Sequence, residues 1–283
     1  MMTYEELWHR LTTIYDAGEA KALVRWVLDV RYGLSMADIL MDRLVTLSDS
    51  DRQELAGIMA RLEQGEPVQY VVGRAEFCGR WFDVSPAVLI PRPETEELCH
   101  HLLDAIGKRK AVSPLSILDI GTGSGCIAVT LAAERPESRV SAWDISAEAL
   151  EVARRNAQRH HVAIDFQHVD ILAAHISLAT PRFSLIVSNP PYICDKERSA
   201  MARNVLEHEP HTALFVPDDD PLRFYRAIAA YGQQSLLAGG QLWLEINPHY
   251  QNELEQMLHG MGYHHIETLR DEQGKPRITH AER

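Results

Sequence analysis

The sequence predicts an α/β protein: a mainly parallel sheet covered by helices, closing on an antiparallel hairpin and preceded by a small helical domain. Three observations carry this. From about residue 113 onward, strand-like apolar runs alternate with helix-length segments, which is the pattern of parallel strands joined by helical crossovers. The last two strand candidates, "YHHIETL" and "RITHAE", are separated only by "RDEQGKP", too short for a crossover, so they pair antiparallel. Ahead of all this, apolar residues recur at helical spacing.

At the N-terminus, Thr3 and Glu6 form a capping-box pattern, and Leu23, Trp26, Val27 and Val30 mark one helical face. After a Ser48 cap, Leu55, Ile58, Met59 and Leu62 mark another, with Gly65 and Pro67 as stop signals. Residues 1–68 are therefore read as a helical domain. Within 69–92, "EFCGRWFDV" alternates around Gly79 as a β-hairpin connector, and "VLIPRPETEEL" leads through two prolines into a helix. Residues 93–283 carry the alternation: "LSILDIG", "RVSAWDI", "AIDFQHVDI", "FSLIVS" and "QLWLEI", then the terminal hairpin. Helices are expected over "SAEALEVARRNAQRH" and "HYQNELEQMLHGM".

With 283 residues, 46% of them hydrophobic, the chain can bury a full core in one large domain and a small one. No stretch approaches the roughly 18 apolar residues of a membrane span, and "MMTYEELWHR" lacks a signal-peptide core, so a cytoplasmic location is expected. Cys78, Cys99, Cys126 and Cys194 form no C-x-x-C pair, and the histidines show no metal-ligand spacing; neither a disulfide framework nor a metal site is expected. The formal net charge of −12 disfavours a surface that tracks phosphates.

The chemistry concentrates where strands end. "LDIGTGSGCIAV" places Gly121, Gly123 and Gly125 in a turn that lets the backbone approach a ligand and opens a helix toward it. Its spacing is G-x-G-x-G, not the dinucleotide fingerprint. Asp144, about twenty residues on, ends the next strand, where a carboxylate accepts ribose hydroxyls in doubly wound folds. Asp170 and Ile171 end the third, a polar acceptor beside an apolar side chain where an adenine fits. Asp144 and Asp170 also suit helix caps. The fourth strand ends in "SNPPYI". Two prolines stop the ladder, leaving the carbonyls of Asn189 and Pro190 free as acceptors.

Together these residues resemble the S-adenosylmethionine-dependent methyltransferases, and "NPPY" resembles the motif of those that methylate planar nitrogens. "PVQYVVGRAEFCGRWFDVSPAVLIPRPETEEL", "DIGTGSGCIAV", "IVSNPPYI" and "EHEPHTAL" together resemble the HemK/PrmC family, which methylates the glutamine of the Gly-Gly-Gln tripeptide in class 1 peptide chain release factors. The likeness covers nearly the whole chain and is most specific from 67 to 214.

The resemblance implies a seven-stranded, Rossmann-like class I methyltransferase sheet. It implies S-adenosyl-L-methionine as cofactor and a release factor as partner; the helical domain is expected either to pack simply on the main body or, as helices appended to a catalytic domain often do, to recognise the substrate. Asp119, Gly121, Thr122, Gly123, Ser124 and Gly125 then serve the cofactor, the glycine loop facing its methionine part. Asp144 serves the ribose, Asp170 and Ile171 the adenine, and Asn189 borders the cofactor. Asn189, Pro190, Pro191 and Tyr192 hold the substrate glutamine amide, with Asn189, Pro190 and Tyr192 catalytic. Two departures stand out: Asn247-Pro248 where the family has a glycine, and "VPDDDPLRFYRAI" where it is richer in glycine.

Two other readings fit parts of the pattern. A nucleic-acid methyltransferase acting on the exocyclic amine of adenine or guanine presents a similar planar nitrogen, but no basic tract or target-recognition domain accompanies the motif. A noncatalytic cofactor-binding module would keep the fold without turnover.

Overall fold

Thr3 opens the chain's first helix as expected: its hydroxyl accepts the Glu6 N–H at 3.2 Å and the Glu6 carboxylate accepts the Thr3 N–H at 3.0 Å. The computed structural model describes residues 3–108, 114–173 and 183–283. The chain divides into two units, Met1–Arg74 with Ala202–His208, and Ala75–Met201 with Glu209–Arg283.

The first unit is helical: α1 (Tyr4–Leu11), α2 (Ala17–Tyr32), α3 (Met36–Leu40), α4 (Asp49–Leu62) and α5 (Val68–Val72). Ser48 caps α4, and Leu55, Ile58, Met59 and Leu62 are buried along it as the spacing predicts. The expected face of α2 is rotated. Ala20, Val24, Val27 and Leu28 are its buried residues, while Leu23 and Trp26 are only partly covered, because α2 packs against both α1 and α5 and so buries a broader stripe.

The second unit begins within a hairpin of β1 (Arg74–Phe77) and β2 (Arg80–Asp83). Cys78 and Gly79, with φ of 48° and 68°, make the two-residue turn, matching the left-handed geometry that tight hairpins favour. Then follow α6 (Pro93–Lys108), β3 (Ser116–Ile120), α7 (Cys126–Glu134), β4 (Arg139–Asp144), α8 (Ala147–Arg159), β5 (Ile164–His168) and β6 (Phe183–Ser188). Next come β7 (Ile193–Cys194), α9 (Arg203–His208, which groups with the first unit), β8 (Phe215–Val216), α10 (Arg223–Ser235), β9 (Leu236–Glu245), α11 (Gln251–Gly260), β10 (His264–Arg270) and β11 (Pro276–Glu282).

Seven of these strands form one sheet in the order β10-β11-β9-β6-β3-β4-β5. The five from β9 to β5 run parallel, and β11 pairs antiparallel with both β9 and β10. Side-chain alternation feeds two layers. Ile117, Leu185, Val187 and Trp243 pack with α6 and α7 on one face; Leu118, Ile186, Leu242 and Leu244 pack with α10 and α11 on the other.

Strand order reverses at β3, whose neighbours are β4 on one side and β6 on the other, so a crevice opens between the carboxyl ends of β3 and β6. β9 starts at Leu236, five residues earlier than "QLWLEI" suggests, through an irregular register opposite Phe183 and Leu185. The parallel pair of β7 and β8, two residues each, was not expected; so short a ladder leaves no period to read. All four cysteines are free thiols. Among the described residues, no helix is long and apolar enough to cross a membrane, and no group of His, Cys, Asp and Glu could hold a metal ion.

Candidate active site

The glycine loop is shaped by its neighbours. The Trp143 carbonyl, near the end of β4, accepts the N–H groups of Gly121 and Thr122 at 2.8 and 3.0 Å. Asp144 Oδ2 accepts the Gly123 N–H at 2.8 Å, and its Oδ1 accepts the Ser146 N–H at 2.9 Å. Asp144 therefore holds loop and strand end together. It does not cap α8: Ser146 does, accepting the Ala149 N–H at 3.1 Å. Asp170 Oδ1 accepts the Leu172 N–H at 2.8 Å in a short turn beyond β5.

A cavity of about 370 Å³ lies over this crevice. Gly121, Thr122, Gly123, Ser124, Asp144, Asp170, Ile171, Asn189, Pro190 and Pro191 all line it, joined by Thr95, Arg92, Val169 and Phe224. Side chains at Gly121 or Gly123 would meet no atom within 4 Å, so the loop's backbone is open to whatever the cavity holds.

Three expected site residues stand outside the wall. Asp119 is fully buried behind the loop, where its Oδ2 accepts the Thr122 hydroxyl at 2.7 Å. Burial pushes its carboxyl up to about 7, partly offset by that hydroxyl. Gly125 opens α7 at φ 80° and packs on Ala153 of α8, since an added Cβ would lie 3.0 Å from the Ala153 Cβ. Tyr192 turns its hydroxyl inward to Glu245 Oε1 at 3.0 Å, away from the cavity.

Sequence reading missed the partners of the fourth strand's end. Glu245, at the end of β9, is fully buried, and burial pushes its carboxyl above the usual range. Its Oε2 accepts the Thr95 hydroxyl at 2.6 Å, and Thr95 Oγ1 accepts the Asn189 amide Nδ2–H at 3.0 Å. The available signal was a lone carboxylate inside the apolar run "QLWLEI". Ser188 donates its hydroxyl to the Ile120 carbonyl at 2.6 Å, fixing β6 against β3 just before the motif. Asn247, where the resemblance led to an expected glycine, donates to the Tyr192 carbonyl at 3.0 Å and caps a short helical turn. Its φ of −73° needs no glycine.

Glu209 is buried against the "IPRP" segment: its carboxylate accepts the Ile90 N–H at 3.3 Å and pairs with the Arg92 guanidinium. Two stretches far apart in the chain thereby form one wall. Among the described residues, no backbone hydrogen bond ends on the carbonyl of Asn189 or Pro190, and none is made to Asn189 Oδ1. The site offers three unspent acceptors beside an open glycine loop.

Residues 97–214 match the methyltransferase small domain family, and residues 6–73 match the PrmC N-terminal domain family. In fold, the chain is similar to the Thermus thermophilus 16S rRNA N2 G1207 methyltransferase, with a TM-score of 0.52 at 19% identity over 74% of this chain and 49% of that one. It is also similar to a Pyrococcus furiosus methyltransferase, with a TM-score of 0.50 at 17% identity over 71% and 87%. Sheet order and the crevice at the switch point give it the class I methyltransferase fold.

A release factor glutamine methyltransferase of Bacteroides thetaiotaomicron is 44% identical over 273 residues, covering 96% of both chains, and one of Flavobacterium psychrophilum is 36% identical over 268 residues, covering 95% and 93%. The chain belongs to the release factor glutamine methyltransferase family.

Proposed function

We propose that the chain transfers the methyl group of S-adenosyl-L-methionine to the side-chain amide nitrogen of the glutamine in the Gly-Gly-Gln motif of class 1 peptide chain release factors, leaving N5-methylglutamine and S-adenosylhomocysteine. The observation that carries this reading is that the glycine loop and the Asn189-Pro190-Pro191 corner line one cavity from adjacent strand ends. The residues suit the cofactor. Open backbone at Gly121 and Gly123 admits its methionine part, the remaining lone pairs of Asp144 suit the ribose, and Val169, Asp170 and Ile171 suit the adenine. When bound, the cofactor supplies a methyl group activated by its sulfonium.

An amide nitrogen is a poor nucleophile because its lone pair is shared with the carbonyl. Asn189 Oδ1 and the Pro190 carbonyl accept the two hydrogens of the substrate amide, which favours electron density on nitrogen as it attacks. Pro190 and Pro191 restrict the backbone that presents these acceptors, so little ordering remains to be done on binding. Tyr192, tethered by Glu245, fixes the corner against which the amide plane lies. The extra proton on the methylated nitrogen passes to water or a neighbouring acceptor.

The helical domain of residues 1–68 recognises the release factor, and the cytoplasm is where such a substrate is met. The test is transfer of a labelled methyl group to an unmethylated release factor, to a variant lacking the motif's glutamine, and to defined oligonucleotides. Label on the first alone supports the proposal; label on the oligonucleotides, or on both release factors equally, refutes it.

A further inference from the structure

Asn189 can offer the cavity either end of its amide, and a substrate N–H is served only by the oxygen. What selects the end is a chain of hydrogen bonds whose polarity follows from proton counting. Glu245 accepts at both oxygens: Oε2 takes the Thr95 hydroxyl proton at 2.6 Å and Oε1 the Tyr192 hydroxyl proton at 3.0 Å. Thr95 has one hydroxyl proton, and it is spent on Glu245. Toward Asn189, at 3.0 Å, its oxygen can then only accept. The amide NH2 must face Thr95, and Oδ1 faces the cavity that both residues line.

We propose that the buried Glu245 carboxylate, acting through Thr95, is the positioning group that turns the acceptor oxygen of Asn189 toward the substrate. Neither residue touches the reacting atoms. Glu245 sets the direction, Thr95 relays it, and the second carboxyl oxygen tethers Tyr192, so one buried side chain orders both ends of the Asn-Pro-Pro-Tyr corner. Thr95 sits three positions into α6 and Glu245 ends β9, which places the relay on two regular elements and off the loops. The functional consequence rests on the reading that the substrate presents an amide N–H; the orientation itself does not.

The test compares Thr95→Val, which keeps the shape and removes the hydroxyl, with Thr95→Ser, which keeps the hydroxyl. Each is assayed for methyl transfer to the release factor, for binding of S-adenosylhomocysteine, and for exchange protection of the Asn189 side-chain amide proton in 15N-labelled protein. The expected result for Thr95→Val is a kcat about tenfold or more below wild type, binding within about threefold, and loss of amide protection. Thr95→Ser stays within about threefold of wild type on every measure. Equal kcat in Thr95→Val and wild type, or equal damage in Thr95→Ser and Thr95→Val, overturns the proposal.

A second comparison needs neither variant. Asn189→Asp leaves one hydroxyl proton between two carboxylates and lowers turnover sharply. Adding Glu245→Gln reverses the chain: the new amide donates to Thr95, Thr95 donates to the inner oxygen of residue 189, and the outer oxygen still faces the cavity. The double variant is then at least about tenfold more active than Asn189→Asp alone; no recovery contradicts the relay. Absent turnover by wild type on a release factor would instead sink the substrate assignment, while amide protection would still report on the relay.

Discussion

Asp144 Oδ2 accepts the Gly123 N–H at 2.8 Å, and because Oδ1 accepts the Ser146 N–H at 2.9 Å, one carboxylate at the end of β4 braces the glycine loop and the entry to α8 together. An amide cannot replace it, since one of the two N–H groups would then face an NH2. Asp144→Asn is expected to weaken S-adenosylhomocysteine binding by ten- to a hundredfold, the loss of about 1.5–3 kcal/mol for a hydrogen bond to a charged group. Titration calorimetry reads this directly, and unchanged affinity would contradict the bracing role.

Gly123 and Gly125 separate binding from packing. Gly125→Ala brings a Cβ within 3.0 Å of the Ala153 Cβ at a φ of 80°. Strain of about 1–2 kcal/mol and overpacking of about 1–3 kcal/mol add there, so the melting temperature should fall by roughly 5–10 °C. Gly123→Ala carries the strain alone, since nothing lies within 4 Å, but its methyl enters the cavity. It should melt closer to wild type and bind S-adenosylhomocysteine more weakly. Thermal scans that place Gly123→Ala below Gly125→Ala would reverse the assignment.

Asp119 predicts a pH dependence of stability. Its carboxyl moves from the ordinary 3.8 to about 7 on folding because burial penalises the charge. Between those values the folded chain holds a proton that the unfolded chain releases, so stability falls as pH rises from about 4 to about 7, by up to about 4 kcal/mol, and is flat above. Asp119→Asn can still accept the Thr122 hydroxyl and has no charge to bury. The melting temperature of the variant minus that of wild type should therefore grow from pH 5 to pH 8 in calorimetric scans. A constant difference would show that this carboxyl does not titrate in that window.

Residues that end strands were legible in the sequence because their signals are local. Gly121 to Gly125, Asp144 and Asn189-Pro190-Pro191 each break an apolar run within a few positions, and parallel topology brings such breaks to one edge. What could not be read is pairing across distance. Thr95 and Glu245 are 150 positions apart and Arg92 and Glu209 are 117 apart, yet these contacts orient the motif and form the cavity wall. Tyr192 illustrates the same limit. Its place in the motif was plain, while the direction of its hydroxyl depends on a carboxylate 53 positions on. The rotated face of α2 has a related cause, since two neighbours on different sides widen the buried stripe beyond a single spacing pattern.

The most direct test of the account is the response of Asn189, whose oxygen is assigned to the substrate amide and not to holding the cofactor. Asn189→Ala is to be compared with wild type for kcat on the release factor and for the dissociation constant of S-adenosylhomocysteine. The account predicts that kcat falls by about 10²- to 10³-fold, as when one preorganised polar group is removed from a developing charge, while binding changes by no more than about threefold. Equal losses in both quantities, or full activity, would contradict it.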